Sequence, residues 1–189
     1  MYNKVLPITT YGMDILRKKT KPLNDVDTNI IELIENMFYT MRHANGIGLA
    51  APQVNLDLSL TIVDISVIEE YKNIKPVILI NPVIEETHGE VVFEEGCLSI
   101  PEVRAELTRP EIISVKYNDL DMNELSMEFN GFLSRVIQHE IDHLNGKLFV
   151  DYLSKEVMKE FKQQLADIKN GKISPDYPLH KKPGDFHGF

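Results

Sequence analysis

Asn130-Gly131-Phe132-Leu133-Ser134-Arg135-Val136-Ile137-Gln138-His139-Glu140-Ile141-Asp142-His143-Leu144-Asn145-Gly146 is the stretch on which the fold turns. Leu133, Ile137, Ile141 and Leu144 recur at helical spacing and form one apolar row. Phe132 and Val136 begin a second row that ends in His139, Glu140 and His143. The two Asn-Gly pairs bracket the segment as start and stop signals. A helix that is apolar on two sides must be covered on two sides, so this one is predicted to be central and buried.

Working outward, Asp27 to His43 carries the other strong helical stripe, with Ile30, Ile34, Met37, Phe38 and Met41 on one face. A shorter helix is expected over Met13 to Lys19. Between the two strong helices the chain reads as strands: Leu58 to Ile65, Val77 to Ile80 and Val91 to Phe93 are short runs rich in β-branched residues. Ile113, Val115 and Tyr117 alternate with polar neighbours, as do Leu125, Met127 and Phe129, and Asn118 to Glu124 joins them as a hairpin. A last helix starts at Ser154 and stops at Asn170-Gly171. Strands grouped ahead of helices favour an α+β fold, with mostly antiparallel strands around the buried helix and a C-terminal helix. The expected organisation is a single metallohydrolase domain over residues 1–173, followed by an irregular tail over 174–189 that is rich in proline and glycine.

Composition narrows the function classes. The 189 residues suit one domain with a proper core. The formal net charge of −9 argues against wholesale binding to a phosphate backbone, so DNA is not an expected partner. No apolar run approaches the length of a transmembrane helix, and the N-terminus lacks the pattern of a secretory leader. A membrane partner is therefore not expected, and the expected location is cytoplasmic. Cys97 is the lone cysteine, so no intramolecular disulfide calls for an oxidising compartment.

His139-Glu140-Ile141-Asp142-His143 is an HExxH sequence. Residues four apart share a helical face, so both imidazoles can reach one metal ion. Glu140 is turned by roughly 100° from His139, beside such an ion rather than on it, where a general base belongs. The apolar flanks bury these groups, and burying them without partners is costly, whereas a metal satisfies them. A third ligand is then needed. The extended HExxHxxGxxH pattern is followed as far as Gly146, but its last ligand position holds Phe149. Glu156 and Glu160 are alternatives, although their amphipathic helix suits them to solvent. Cys97, in Glu95-Gly96-Cys97-Leu98-Ser99, adds a thiolate to the two imidazoles and leaves one coordination position open, which is the layout of a catalytic site. Gly46-Ile47-Gly48-Leu49-Ala50-Ala51-Pro52-Gln53 is no phosphate loop, since it lacks the Gly-Lys-Ser/Thr ending and no predicted strand precedes it. It reads as a turn into the Leu58 strand whose backbone a ligand can approach, with Gln53 as a donor.

These three segments together resemble the peptide deformylase family, which is marked by a GxGxAAxQ loop, an EGCLS segment and an HExDH helix. Gly46 to Gln53, Glu95 to Ser99 and His139 to His143 match in that order with no motif position missing. The resemblance implies hydrolysis of the formyl group on the N-terminal formyl-methionine of newly made proteins, with release of formate. It implies Cys97, His139 and His143 as metal ligands and Glu140 as the acid/base. Gln53 and the Leu98 N–H would face the negative charge that develops on the formyl oxygen, where removal of one donor costs on the order of 100-fold in rate. An extended peptide would lie along Ile47, Gly48 and Gly96, a form of strand addition. Its methionine would enter a pocket with Ile47, Phe93, Phe132, Val136 and the His139 ring. Arg135 is a charged residue where the pocket rim calls for an apolar one, and Arg104 and Arg109 read either as surface residues or as anchors for the peptide or Asp142.

One divalent ion is expected. The family commonly uses Fe2+, and the ligand types also suit Zn2+, Ni2+ and Co2+. The expected partners are formyl-methionyl nascent peptides. From Ser154 onward seven lysines face five acidic residues, so a ribosome contact through the C-terminal helix is a further expectation. Two rival functions follow from the same residues. A zincin-type metallopeptidase needs Glu156 or Glu160 as a ligand, and a metal-stabilised binding module needs a fourth protein ligand such as His88.

Overall fold

Among residues 4–180, which the computed structural model describes, all pairs of strands are antiparallel. Helix α1 (Thr28–His43) leads into strands β1 (Gly48–Ala50), β2 (Leu60–Val63), β3 (Val77–His88), β4 (Val91–Cys97), β5 (Ile100–Arg109), β6 (Ile112–Asn118) and β7 (Glu124–Asn130). Helix α2 (Gly131–Leu144) follows, then α3 (Lys155–Glu160) and α4 (Lys162–Lys169). Five strands form one sheet in the order β1-β2-β3-β6-β7, and β4 and β5 form a separate two-stranded sheet. The fold is α+β, with its strands gathered around the HExxH helix as the apolar rows required.

Each strong periodicity is realised by burial. In α1 the stripe buries Ile34, Met37 and Met41, and Asp27 caps the first turn by accepting from the Ile30 N–H at 2.9 Å. That face meets Leu49, Leu60 and Ile62 of β1 and β2. Helix α2 packs its Ile137 and Ile141 row against Val63, Leu79, Ile113 and Val115 on the other side. A third cluster joins Ile100, Val103 and Leu107 of β5 to Phe149, Leu165 and Ile168. Full burial of one such side chain stabilises by roughly 1.5–3 kcal/mol. Packing of α2 onto the five-stranded sheet keeps His139, Glu140 and His143 inside the protein. No described helix is long and apolar enough to cross a membrane.

Several boundaries differ from expectation. The short helix over Met13 to Lys19 is only a 3-10 turn, Asp14–Arg17, in which Leu16 alone is buried. β3 runs on past Ile80 because Asn81 takes a positive φ of 52° and the register shifts around Pro82, a bulge that accommodates a residue with no N–H to donate. β5 is a strand without a clear alternating signal, and its buried positions include Arg109. The Gly46 to Gln53 stretch is not only a turn, since Gly48–Ala50 pairs with β2 as an edge strand. The last helix keeps Ser154 as its cap but breaks at Phe161 into α3 and α4. Residues 174–180 are irregular yet packed: the Ile8 N–H bonds to Pro178 O at 2.8 Å and the His180 N–H to Ile8 O at 2.9 Å. The remainder of the expected tail, and the N-terminal residues 1–3, lie outside the described residues.

Candidate metal centre

Helix α2 supplies His139, Glu140 and His143 from one face, and β4 ends in Cys97. The ladder between β4 and β5 slips at Gly96 and Cys97, so that Cys97 pairs with Ile100. A slip of this kind re-aims a side chain, and here it accompanies a sulfur turned toward α2. One ligand atom from each of Cys97, His139 and His143 lies within 4.8 Å of the others. Cys97 Sγ is 3.2 Å from His143 Nε2. Among the described residues no other group of three such side chains converges. Glu156 and Glu160 are exposed on α3 and His88 is exposed beside Glu86, so none of the three joins the centre. Phe149, at the last ligand position of the extended zincin pattern, is fully buried and stacks on the His139 ring at 6.2 Å.

Around these ligands lies a buried ionic network, of which the sequence reading offers only the Arg109–Asp142 tie, as one of two alternatives for Arg109. Glu95 receives His139 Nδ1 at 2.9 Å, Arg109 Nε at 2.6 Å and Nη2 at 3.0 Å, and Arg135 Nη1 at 2.7 Å. Burial alone would raise the Glu95 pKa, but the bonds from His139 and Arg109 outweigh it and hold the carboxyl well below the usual range. An ionised Glu95 keeps the proton on Nδ1 of His139 and turns Nε2 toward the thiol. Arg109 also donates from Nη1 to Asp142 at 2.6 Å, and Tyr152 donates to the same carboxylate at 2.9 Å. Arg109 is therefore an internal tie and not a surface residue, while Arg104 is exposed and pairs with Glu94. Arg135 does not stand at the pocket rim as a free charge. It is 2% exposed, stacks over Phe93 and donates to the carbonyls of Val91 and Leu107. Period-two alternation carried the missed signal: Glu95 and Cys97 share one face of their strand, as do Leu107 and Arg109.

Glu140 is 3% exposed and its Oε2 has no partner. Burial pushes its pKa up to about 7. Its carboxylate lies against Gly48, where a Cβ would come within 2.8 Å of Cδ. Burial and the neighbouring His139 keep His143 below its ordinary pKa, in the neutral form that a metal ligand needs. One thiolate sulfur and two imidazole nitrogens, with an unpartnered carboxylate oxygen beside them, fit a divalent transition metal with an open position. Gln53 is fixed by the Ala50 N–H, which donates to its Oε1 at 2.8 Å. The amide nitrogen is thereby aimed at Cys97 Sγ, 3.5 Å away, and at Ser99 Oγ, 3.3 Å away.

A cavity of about 510 Å3 opens over the centre. Ile47, Gly48, Gly96, Leu98, Phe132 and Val136 line it, together with Gln53, Cys97, His139 and Glu140. Phe93 does not line it but packs edge-on against Phe132 at 5.9 Å.

The sequence of residues 5–159 matches the family profile described as Polypeptide deformylase. A peptide deformylase of Chlorobium luteolum is 45% identical over 178 residues, covering 94% of each chain. The crystal structure of a peptide deformylase from Legionella pneumophila superposes with a TM-score of 0.80 at 37% identity, covering 89% of this chain and 98% of that one. A class I type b peptide deformylase from Acinetobacter baumannii, solved with Met-Ala-Ser bound, superposes with a TM-score of 0.74 at 35% identity, covering 80% of this chain and all of that one.

Proposed function

We propose, from the premise that this chain belongs to the polypeptide deformylase family, how its own residues divide the work of the reaction. The enzyme is a metal-dependent hydrolase that removes the N-terminal formyl group of nascent peptides. The convergence of Cys97, His139 and His143 beside an unpartnered Glu140 carries the reading.

Cys97 Sγ and the Nε2 atoms of His139 and His143 would hold the ion, which would supply Lewis acidity and lower the pKa of water. Fe2+ is the metal proposed, because a mixed sulfur and nitrogen set suits a borderline-soft ion and the family resemblance favours iron. Glu140 takes a proton from the attacking water and returns it to the leaving amine, and its buried carboxylate, with Oε2 unpartnered, is placed to do both. The Gln53 amide and the Leu98 N–H stabilise the developing charge on the formyl oxygen. Gln53 is suited to this because its Oε1 is already committed to Ala50, so only its N–H groups face the cavity.

The substrate is a formyl-methionyl peptide held extended. The Ile47 carbonyl is taken by the Asp64 N–H at 2.9 Å. Successive residues of a strand turn their backbone groups to opposite edges, which leaves the Gly48 groups on the open edge of β1. The peptide adds there as a strand, with Gly96 on the opposite wall, and its methionine side chain meets Ile47, Phe132 and Val136, supported from behind by Phe93. Anaerobically prepared, iron-loaded protein is expected to release formate from formyl-Met-Ala-Ser. Absence of turnover in that preparation overturns the reading.

A ribosome contact is proposed through the exposed Lys155, Lys159 and Lys162 of α3 and α4. Charge reversal of these three is the fitting test, since deleting the helices would remove the buried Leu165 and Ile168. Unchanged co-sedimentation of that variant removes the proposal.

A further inference from the structure

After α4 the chain reverses at Gly171, whose φ is +70°, and returns as an irregular strap over residues 174–180. The strap lies beyond the residues that match the family profile, which ends at 159. It does not drift away from the centre. Pro175, Asp176 and Tyr177 line the same cavity as Cys97, His139 and Glu140. The Tyr177 hydroxyl donates to the Leu98 carbonyl at 2.8 Å. The strap is stitched in turn to the N-terminal segment through Ile8, by the bonds with Pro178 and His180.

Leu98 and Ser99 form the turn between β4 and β5, immediately after the ligand Cys97. Two outside groups hold the backbone carbonyls of this turn: Tyr177 on that of Leu98, and the Tyr11 N–H on that of Ser99 at 2.8 Å. Peptide units are planar, so pinning two successive carbonyls restricts the few soft dihedrals that aim the Leu98 N–H. That N–H is the backbone donor assigned above to the formyl oxygen.

We propose that Tyr177 is a positioning residue for catalysis, acting through Leu98, and that the C-terminal strap is thereby an integral wall of this active site. The activity half of the inference rests on the deformylase reading; the contact itself does not.

The test is Tyr177→Phe in the full-length, iron-loaded protein, a change that keeps the ring and removes only the hydroxyl. With formyl-Met-Ala-Ser, kcat is expected to fall about three- to tenfold, the size of one neutral hydrogen bond, with KM within twofold and metal content equal to wild type. Unchanged kcat, or a loss of activity that tracks loss of metal, overturns the proposal. Amide exchange reads the contact without turnover: Leu98 and Ser99 are expected to exchange several-fold faster in the variant. Equal exchange rates overturn the proposal even if the wild-type protein deformylates. Faster exchange in protein that releases no formate leaves the strap contact standing and counts against the deformylase reading alone.

Discussion

Nδ1 of His139 and a carboxylate oxygen of Glu95 lie 2.9 Å apart, both inside the protein. This pair decides which imidazole nitrogen is offered to the metal, because a ring whose Nδ1 proton is engaged presents Nε2 as its lone pair. The tautomer of a ligand on α2 is thus set by a residue two positions before Cys97, on β4.

Glu95→Gln is expected to weaken metal binding by about 10- to 100-fold, since the neutral amide no longer orients and polarises the ring. Competition with a chelator at fixed pH measures it. Metal affinity equal to wild type would show that α2 packing alone orients His139.

Arg109 holds Glu95 and Asp142 together with 5% side-chain exposure. Arg109→Leu leaves the buried Glu95 and the half-buried Asp142 each short of a partner, and loss of about 3 kcal/mol in urea denaturation is expected. The surface pair between Arg104 and Glu94 provides the control: Arg104→Leu is expected to cost no more than about 1 kcal/mol.

Gly48→Ala places a methyl group where the Glu140 carboxylate lies, with Cγ 2.9 Å and Cδ 2.8 Å from the new atom. Either the carboxylate or β1 must move. Turnover is expected to fall at least tenfold with the metal retained, because the acid–base role proposed for that carboxylate contributes roughly 100- to 10,000-fold. Formate release and elemental analysis of the same sample check both halves.

Glu140 also gives the metal-stripped protein a distinctive pH dependence. Its pKa rises from 4.5 to about 7 on folding, so the folded state favours the protonated form. The associated stability is present in full below pH 4.5 and is lost as pH rises through about 7. Glu140→Gln removes that titration. Thermal melts of chelated protein are expected to find the variant more stable than wild type above pH 7, with the gap closing toward pH 4.5. A gap of constant size across the range would rule out Glu140 as its source.

Much of this was legible in the residues. The two helical stripes, the β6–β7 hairpin and the HExxH face follow from periodicities of 3.6 and 2, which each residue expresses through its immediate neighbours. What was not legible depended on partners far along the chain. β5 escaped notice because Arg109 sits among its buried positions, and an inward arginine looks like an error in the pattern until Glu95 and Asp142 stand opposite it. Phe149 looked like a missing ligand until its ring was found behind His139.

The sequence by itself determined the two long helices, most of the strands and the two ligands four residues apart, because helical geometry alone brings His139 and His143 to one face. Only the tertiary structure decided that Cys97, already singled out by its motif, comes within reach of both imidazoles, that Glu95 chooses the His139 tautomer and that the strap closes over Leu98. Those three relations span tens of residues, and they arise from burying apolar faces against one another, a non-directional force that no local pattern encodes.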